Sequence, residues 1–151
     1  VLSPANVNEV VGSSVMYFRT RIPRNVTLSY NGLAIAPVQA MINGALFEWV
    51  VENLLKNSLD ALQGQGEIDV RISDDLEWVY IDVKDTGKGI PKSNFKRIFE
   101  PGFTTKTRGW GLGLSLSRRI IEEYHKGRIY VVDSEPGRGT TIRIALKRLY
   151  A

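Results

Sequence analysis

The chain has no cysteine and a single histidine, His125. Without thiols there are no disulfides and no thiolate zinc sites, and one imidazole excludes an all-histidine metal centre. The missing cysteine is compatible with a reducing cytoplasm, where the domain is expected to reside. No apolar run reaches the roughly 20 residues of a membrane helix, and the N-terminus lacks a basic region followed by a hydrophobic stretch. These absences predict a soluble piece with no membrane contact. Internal repeats and low-complexity tracts are lacking too. The net charge of +4 arises from scattered basic residues without an aromatic-basic stripe, so nucleic acid is not an expected partner. The length suits one domain, residues 1–151, able to bury a core without metal or disulfide staples.

Hydrophobic spacing supplies the architecture. Asn6 with Glu9 has the form of a capping box, and Val7, Val10, Val11, Val15 and Phe18 follow at helical intervals until Pro23. Val26–Tyr30 alternates as a strand, with Ala34–Val38 as a short partner limited by Pro37. From Gly44 to Leu62 the residues Phe47, Val51, Leu54, Leu55, Leu59 and Leu62 fall on one side of a helix that Gly64 and Gly66 end. Glu67–Ser73 and Trp78–Asp85 read as a hairpin through Asp74-Asp75. Residues 91–108 read as a mobile loop with at most one helical turn near Phe95–Phe99. A helix from Leu112 to Tyr124 is terminated by Gly127, and Arg128–Asp133 and Thr140–Lys147 form a last hairpin around Pro136-Gly137. This order predicts an α/β two-layer sandwich, with a mixed, largely antiparallel sheet packed on about three helices.

Four clusters carry chemistry. Gly109, Gly111 and Gly113 open the helix that begins at Leu112, where backbone N–H groups can approach a phosphate with no Cβ in between. A dinucleotide fingerprint is excluded because the glycines follow a long polar loop rather than an early strand. A phosphate loop is excluded because no Gly-Lys-Ser or Gly-Lys-Thr closes the turn. On the Gly44–Leu62 helix Asn53 and Asn57 stack four residues apart beside Asp60. Two carboxamides there can offer neutral oxygens to magnesium or phosphate-bound water, or they can be a solvated face. Period-2 counting from Val79, Ile81 and Val83 aims Asp85 inward, where a carboxylate needs a donor such as an adenine amino group; the alternative is a strand-ending turn. Gly87 and Gly89 would let a base slide against backbone. Lys92, Lys96, Arg97, Lys106 and Arg108 face one acid, Glu100, which suits a triphosphate or simply solubility. Phe99 and Phe103 suggest aromatic anchors of a lid.

With these clusters in place, the sequence resembles the catalytic ATP-binding domain of bacterial sensor histidine kinases, in the gyrase, chaperone, histidine kinase and mismatch-repair ATPase superfamily with its Bergerat-type fold. Glu52–Asn57 resembles the N box, Asp85–Gly89 the first glycine box, Phe99–Lys106 the F box, Gly109–Leu114 the second glycine box, and Gly137–Ile142 the closing strand. The resemblance implies ATP and Mg2+ as cofactors. It implies that Asp85 reads the adenine amino group with Thr140 supporting through water, and that Asn57 ligates magnesium while Asn53 helps hold the phosphates. Lys56, Lys106 and Arg108 become phosphate neighbours. Gly87, Gly89 and Ile90 join the base pocket, and Thr104, Thr105, Gly109, Gly111, Leu112, Gly113 and Leu114 the lid and phosphate wrap. The chain departs from the pattern at Asp60, often Lys; at Ala61, often aromatic; and at Gly102, often aromatic.

The superfamily's hydrolases place a water-activating glutamate four residues before the magnesium asparagine. Here that position is Asn53, and Glu52 is turned about 100° away around the helix, so the resemblance favours a kinase. His125 is followed by Lys126, not by the acid typical of a phospho-acceptor, and sits where such domains carry a structural histidine. The resemblance therefore implies an excised catalytic domain that lacks its dimerisation and phospho-acceptor domain. Its parent, a homodimer of a kind that can be membrane-anchored, would phosphorylate itself on histidine and pass the phosphate to a response regulator. The alternatives are a serine kinase acting on an anti-sigma partner and a non-catalytic nucleotide-binding scaffold.

Overall fold

The computed structural model describes residues 1–32, 38–103 and 113–149. In chain order the elements are β1 (Ser3–Asn6), α1 (Val7–Arg19), β2 (Val26–Asn31), β3 (Gln39–Ile42), α2 (Gly44–Leu62), β4 (Gly66–Asp74), β5 (Trp78–Asp85), α3 (Gly113–Arg118), β6 (Arg128–Glu135) and β7 (Gly139–Lys147). Short 3-10 turns at Lys92–Asn94 and Arg97–Phe99 follow β5, and a π-helical turn, Arg119–Tyr124, prolongs α3.

Helix α2 is the centre of the packing. Phe47, Val50, Val51, Leu54, Leu55 and Leu62 are buried along one side, as the leucine spacing predicts except at Leu59, which is half-buried. Asn43 caps its start by accepting from the Leu46 N–H at 3.1 Å, satisfying one of the orphan donors of the first turn. At its end Gln63 takes a left-handed conformation, followed by Gly64. Helix α1 buries Val7, Val11, Val15 and Phe18. Asn6 is its N-cap, accepting from the Glu9 N–H at 3.2 Å. Both helices cover a five-stranded sheet ordered β2-β4-β5-β7-β6. Strands β2 and β4 are parallel, and the β4–β5, β5–β7 and β6–β7 pairs are antiparallel. The inner face carries Val79, Ile81, Val83, Ile144 and Leu146, all nearly fully buried. The α/β two-layer sandwich with a mixed, largely antiparallel sheet is thus the fold of the chain.

Three local differences from the sequence expectation have physical causes. The strand after β2 lies at Gln39–Ile42 and pairs with β1 in a separate two-stranded sheet; residues 34–37 of the expected Ala34–Val38 partner lie outside the described residues. The helix after the second glycine box widens at Arg119, where the His125 N–H reaches the Ile120 carbonyl at 3.0 Å. An extra residue there lets adjacent Ile120 and Ile121 both turn inward. Strand β6 carries a register shift between Val131 and Asp133. This bulge resets the alternation, so that Ser134 rather than Asp133 is buried. Among the described residues no helix is long and apolar enough to cross a membrane.

Candidate nucleotide site

Asp85 ends strand β5 on the helix-covered face, in register with the buried Val79, Ile81 and Val83, and is only 6% exposed. The Gly87 N–H donates to its Oδ1 at 2.9 Å. The Ser58 hydroxyl, brought in by α2, and the Thr140 N–H, from β7, also hydrogen-bond to it. Burial pushes the carboxyl pKa up, and these three donors hold it partly back. An ionised carboxylate has about four lone-pair positions, so three donors leave room for one more. A buried acceptor with capacity to spare suits an amino group, and in that respect the residues present fit an adenine base.

The surroundings of Asp85 are built from the two ends of the last hairpin. Thr140 stands opposite Asp85 in the β5–β7 register, which puts the two side chains on one face about 5 Å apart at Cβ. The Thr140 hydroxyl lies 2.8 Å from the Ser134 hydroxyl. Ser134 also accepts from the Ile90 N–H at 2.8 Å and donates to the Gly139 carbonyl at 2.9 Å. Gly87 and Gly89 are also needed by the chain's own packing. A Cβ on Gly87 would lie 2.6 Å from the Ala61 carbonyl oxygen, and one on Gly89, at φ 71°, would run into the Glu135 carbonyl. The room freed by both glycines is thus taken by the chain's own backbone, which locks the loop to α2 and to the last hairpin.

On α2 the face bearing Asn53 and Asn57 is half-buried rather than fully solvated, while Lys56 and Asp60 are exposed. Asn53 donates through Nδ2 to the buried Ser117 hydroxyl at 3.1 Å. Its carboxamide also fills the position of a Cβ on Gly113, 2.6 Å from Oδ1. Gly113 therefore brings the start of α3 against the N box. Leu114 packs at the edge of the core. Thr104, Thr105, Lys106, Arg108, Gly109, Gly111 and Leu112 lie outside the described residues. Of the two expected lid anchors, Phe99 is a core residue, 5% exposed, and Phe103 is half-buried with the Arg97 guanidinium 5.2 Å above its ring.

His125 is buried against Phe47 and Tyr124. The Asn43 N–H donates to its Nε2 at 3.1 Å, which leaves the proton on Nδ1, 2.9 Å from the Ile120 carbonyl oxygen. Burial lowers its pKa despite that carbonyl. Both ring nitrogens are engaged in holding the end of the helix to the cap of α2, which is a structural duty.

This arrangement, with a carboxylate-bearing strand, an asparagine helix and a closing hairpin, coincides with a family profile described as histidine kinase-, DNA gyrase B- and HSP90-like ATPase, which matches residues 43–149. The chain belongs to that family. Within it the chain is the ATPase domain type of two-component sensor histidine kinases. Sporulation kinase A of Bacillus subtilis (strain 168) is 43% identical over 96 residues, covering 64% of this chain and 16% of that protein. The chain thus spans about a sixth of that relative's length. The nucleotide-free catalytic domain of the histidine kinase ThkA superposes with a TM-score of 0.84 at 26% identity over 97% of each chain. ThkA in complex with the response regulator protein TrrA gives a TM-score of 0.83 at 26% identity, over 98% of this chain and 42% of that one.

Two polar residues of the pocket escaped the sequence reading. Ser58 follows Asn57 directly and falls on the leucine side of α2, where a serine reads as a core substitute. Ser134 lies beyond the bulge, past the predicted end of its strand.

Proposed function

We propose that the domain binds Mg-ATP and donates the γ-phosphate to a histidine on a separate dimerisation domain of its parent kinase, for relay to an aspartate of a response regulator. The buried Asp85 carboxylate, with acceptor capacity beyond its three protein donors, carries this reading. Asp85 takes the adenine amino group, and Thr140 assists through water. Asn57 offers a neutral amide oxygen to magnesium, the donor type that a hard cation accepts alongside substrate phosphates. Bound magnesium would neutralise charge on the transferring phosphoryl group. Asn53, Lys56, Thr104, Thr105, Lys106 and Arg108, with the glycines from Gly109 to Gly113, serve the phosphates.

Two observations support transfer over hydrolysis and an acceptor elsewhere in the parent. The position from which the family's hydrolases activate water is Asn53, an amide engaged with Ser117 and unable to act as a base. His125 has both nitrogens committed. The similar kinase ThkA forms a complex with a response regulator protein, which supports the same class of downstream partner here. The test is calorimetric titration with ATP and ADP with and without magnesium, followed by incubation with the parent's dimerisation domain. Saturable, magnesium-dependent binding and acid-labile phosphate on that domain are expected. Acid-stable phosphoserine on a partner protein, or binding without any transfer, would refute the histidine assignment.

A further inference from the structure

We propose that Ser134 is a positioning residue that fixes the direction of the Thr140 hydroxyl and so makes the base pocket select a purine with a ring-edge amino group over one with a carbonyl. The inference rests on the assignment of Asp85 and Thr140 to the adenine edge and deepens it. It starts from the bulge in β6 between Val131 and Asp133, which turns Ser134 into the sandwich at 8% exposure. Bulges re-aim side chains in this way beside functional sites.

A serine hydroxyl has one proton and two lone pairs. The Ile90 N–H occupies one lone pair at 2.8 Å. The Gly139 carbonyl, which can only accept, takes the proton at 2.9 Å. The remaining contact, 2.8 Å to the Thr140 hydroxyl, must then be donated by Thr140. Its proton spent, Thr140 presents only lone pairs to the pocket, beside a carboxylate that in its ionised form also presents only lone pairs. The polar edge offered to a base is all-acceptor. An amino group, directly or through a water, satisfies it; a purine carbonyl meets no donor there and loses its hydrogen bonds on entry. Ser134 thus acts on the base through Thr140. It also ties the Ile90 end of the first glycine box to the closing hairpin.

The test compares binding of ATP and inosine triphosphate, which carries a carbonyl where adenine has its amino group, by calorimetry with magnesium. In Ser134→Ala the Thr140 proton is released to donate into the pocket. The preference for ATP should fall about five- to tenfold, the range of one net hydrogen bond. Thr140→Val should reduce the preference similarly, and adding Ser134→Ala to it should change the preference no further, because the two residues act in series. Ser134→Cys keeps the shape with a weaker donor and acceptor; it should move the preference in the same direction and covers the case of an Ala variant that fails to fold. Equal weakening of both nucleotides, or full additivity with Thr140→Val, would reduce Ser134 to a structural tie and overturn the proposal. Retained ATP affinity in Asp85→Asn would overturn the adenine assignment, and the proposal with it. Loss in that variant with an unmoved Ser134 preference overturns the proposal alone.

Discussion

Replacing Asp85 with Asn should separate affinity from stability. In the free domain, burial raises the carboxyl pKa above its ordinary value. A raised folded pKa means that the stabilising contribution is complete below the unfolded value and is lost as pH rises through the folded one. At neutral pH the charge is therefore carried at a cost to the fold, and the amide removes that cost. Against this, the Asn amino group faces donors. Its oxygen can keep the Gly87 N–H and the Ser58 hydroxyl can rotate to accept, but the Thr140 N–H loses an acceptor, at about 1–3 kcal/mol. The two effects oppose, and the melting temperature should change little. In the complex nothing opposes the loss. A hydrogen bond to a charged acceptor contributes about 1.5–3 kcal/mol, and a buried donor left unmade costs about 1–3 kcal/mol more. Together these predict a fall of two to four orders of magnitude in ATP affinity at about 1.4 kcal/mol per tenfold. Thermal melts and calorimetry on the same samples decide it. An Asn variant that binds ATP within fivefold of the parent would refute the adenine role, and one that is unfolded would refute the stability argument.

Asn57→Ala should weaken binding of Mg-ATP while leaving magnesium-free binding nearly unchanged; an unaltered magnesium requirement would remove Asn57 from the metal. The depressed pKa of His125 predicts a contribution to stability that is complete above its unfolded value near 6.5 and declines as the pH falls below it, because the unfolded chain takes up the proton first. Denaturant melts between pH 7.5 and 5 should show this slope, and His125→Gln should flatten it; an identical slope in both would show that His125 is not its source. Gly87→Ala places a Cβ 2.6 Å from the Ala61 carbonyl oxygen. It should destabilise the domain by about 1–3 kcal/mol through overpacking, and a melt unchanged from wild type would mean that the loop shifts freely.

How legible the molecule was in its sequence depended on the range of the interaction concerned. Helix α2 and the inward aim of Asp85 follow from periodicity, which is local, and the Asn6 cap is a contact across three residues. The β1–β3 pair joins Ser3 to Ile42, and Pro4 in a four-residue strand gives no local sign of it. The placement of Ser134 depends on a bulge that breaks the alternation by which strands are read. Ser58 was hidden because helical spacing separates apolar from polar faces and cannot tell a buried serine in the core from one turned to a buried carboxylate. At Gly87 and Gly89 the need for a missing Cβ was legible, but not the close approach of the Ala61 and Glu135 carbonyls, which come from distant parts of the chain.

The parallel pairing of β2 with β4 bears on the order of folding. Its first register pair joins Val26 to Gly66, so the chain must close a loop containing all of α2 before that edge gains a hydrogen bond. The β4–β5 and β6–β7 hairpins close through short turns. Loop-closure entropy grows with separation, and long-range parallel pairing forms late. The β2 edge should accordingly be the last part of the main sheet to form and the first to open. Amide hydrogens that β2 contributes to the pair should exchange with solvent faster than those shared by β5 and β7; equal protection across the sheet would mean that it opens only as a whole.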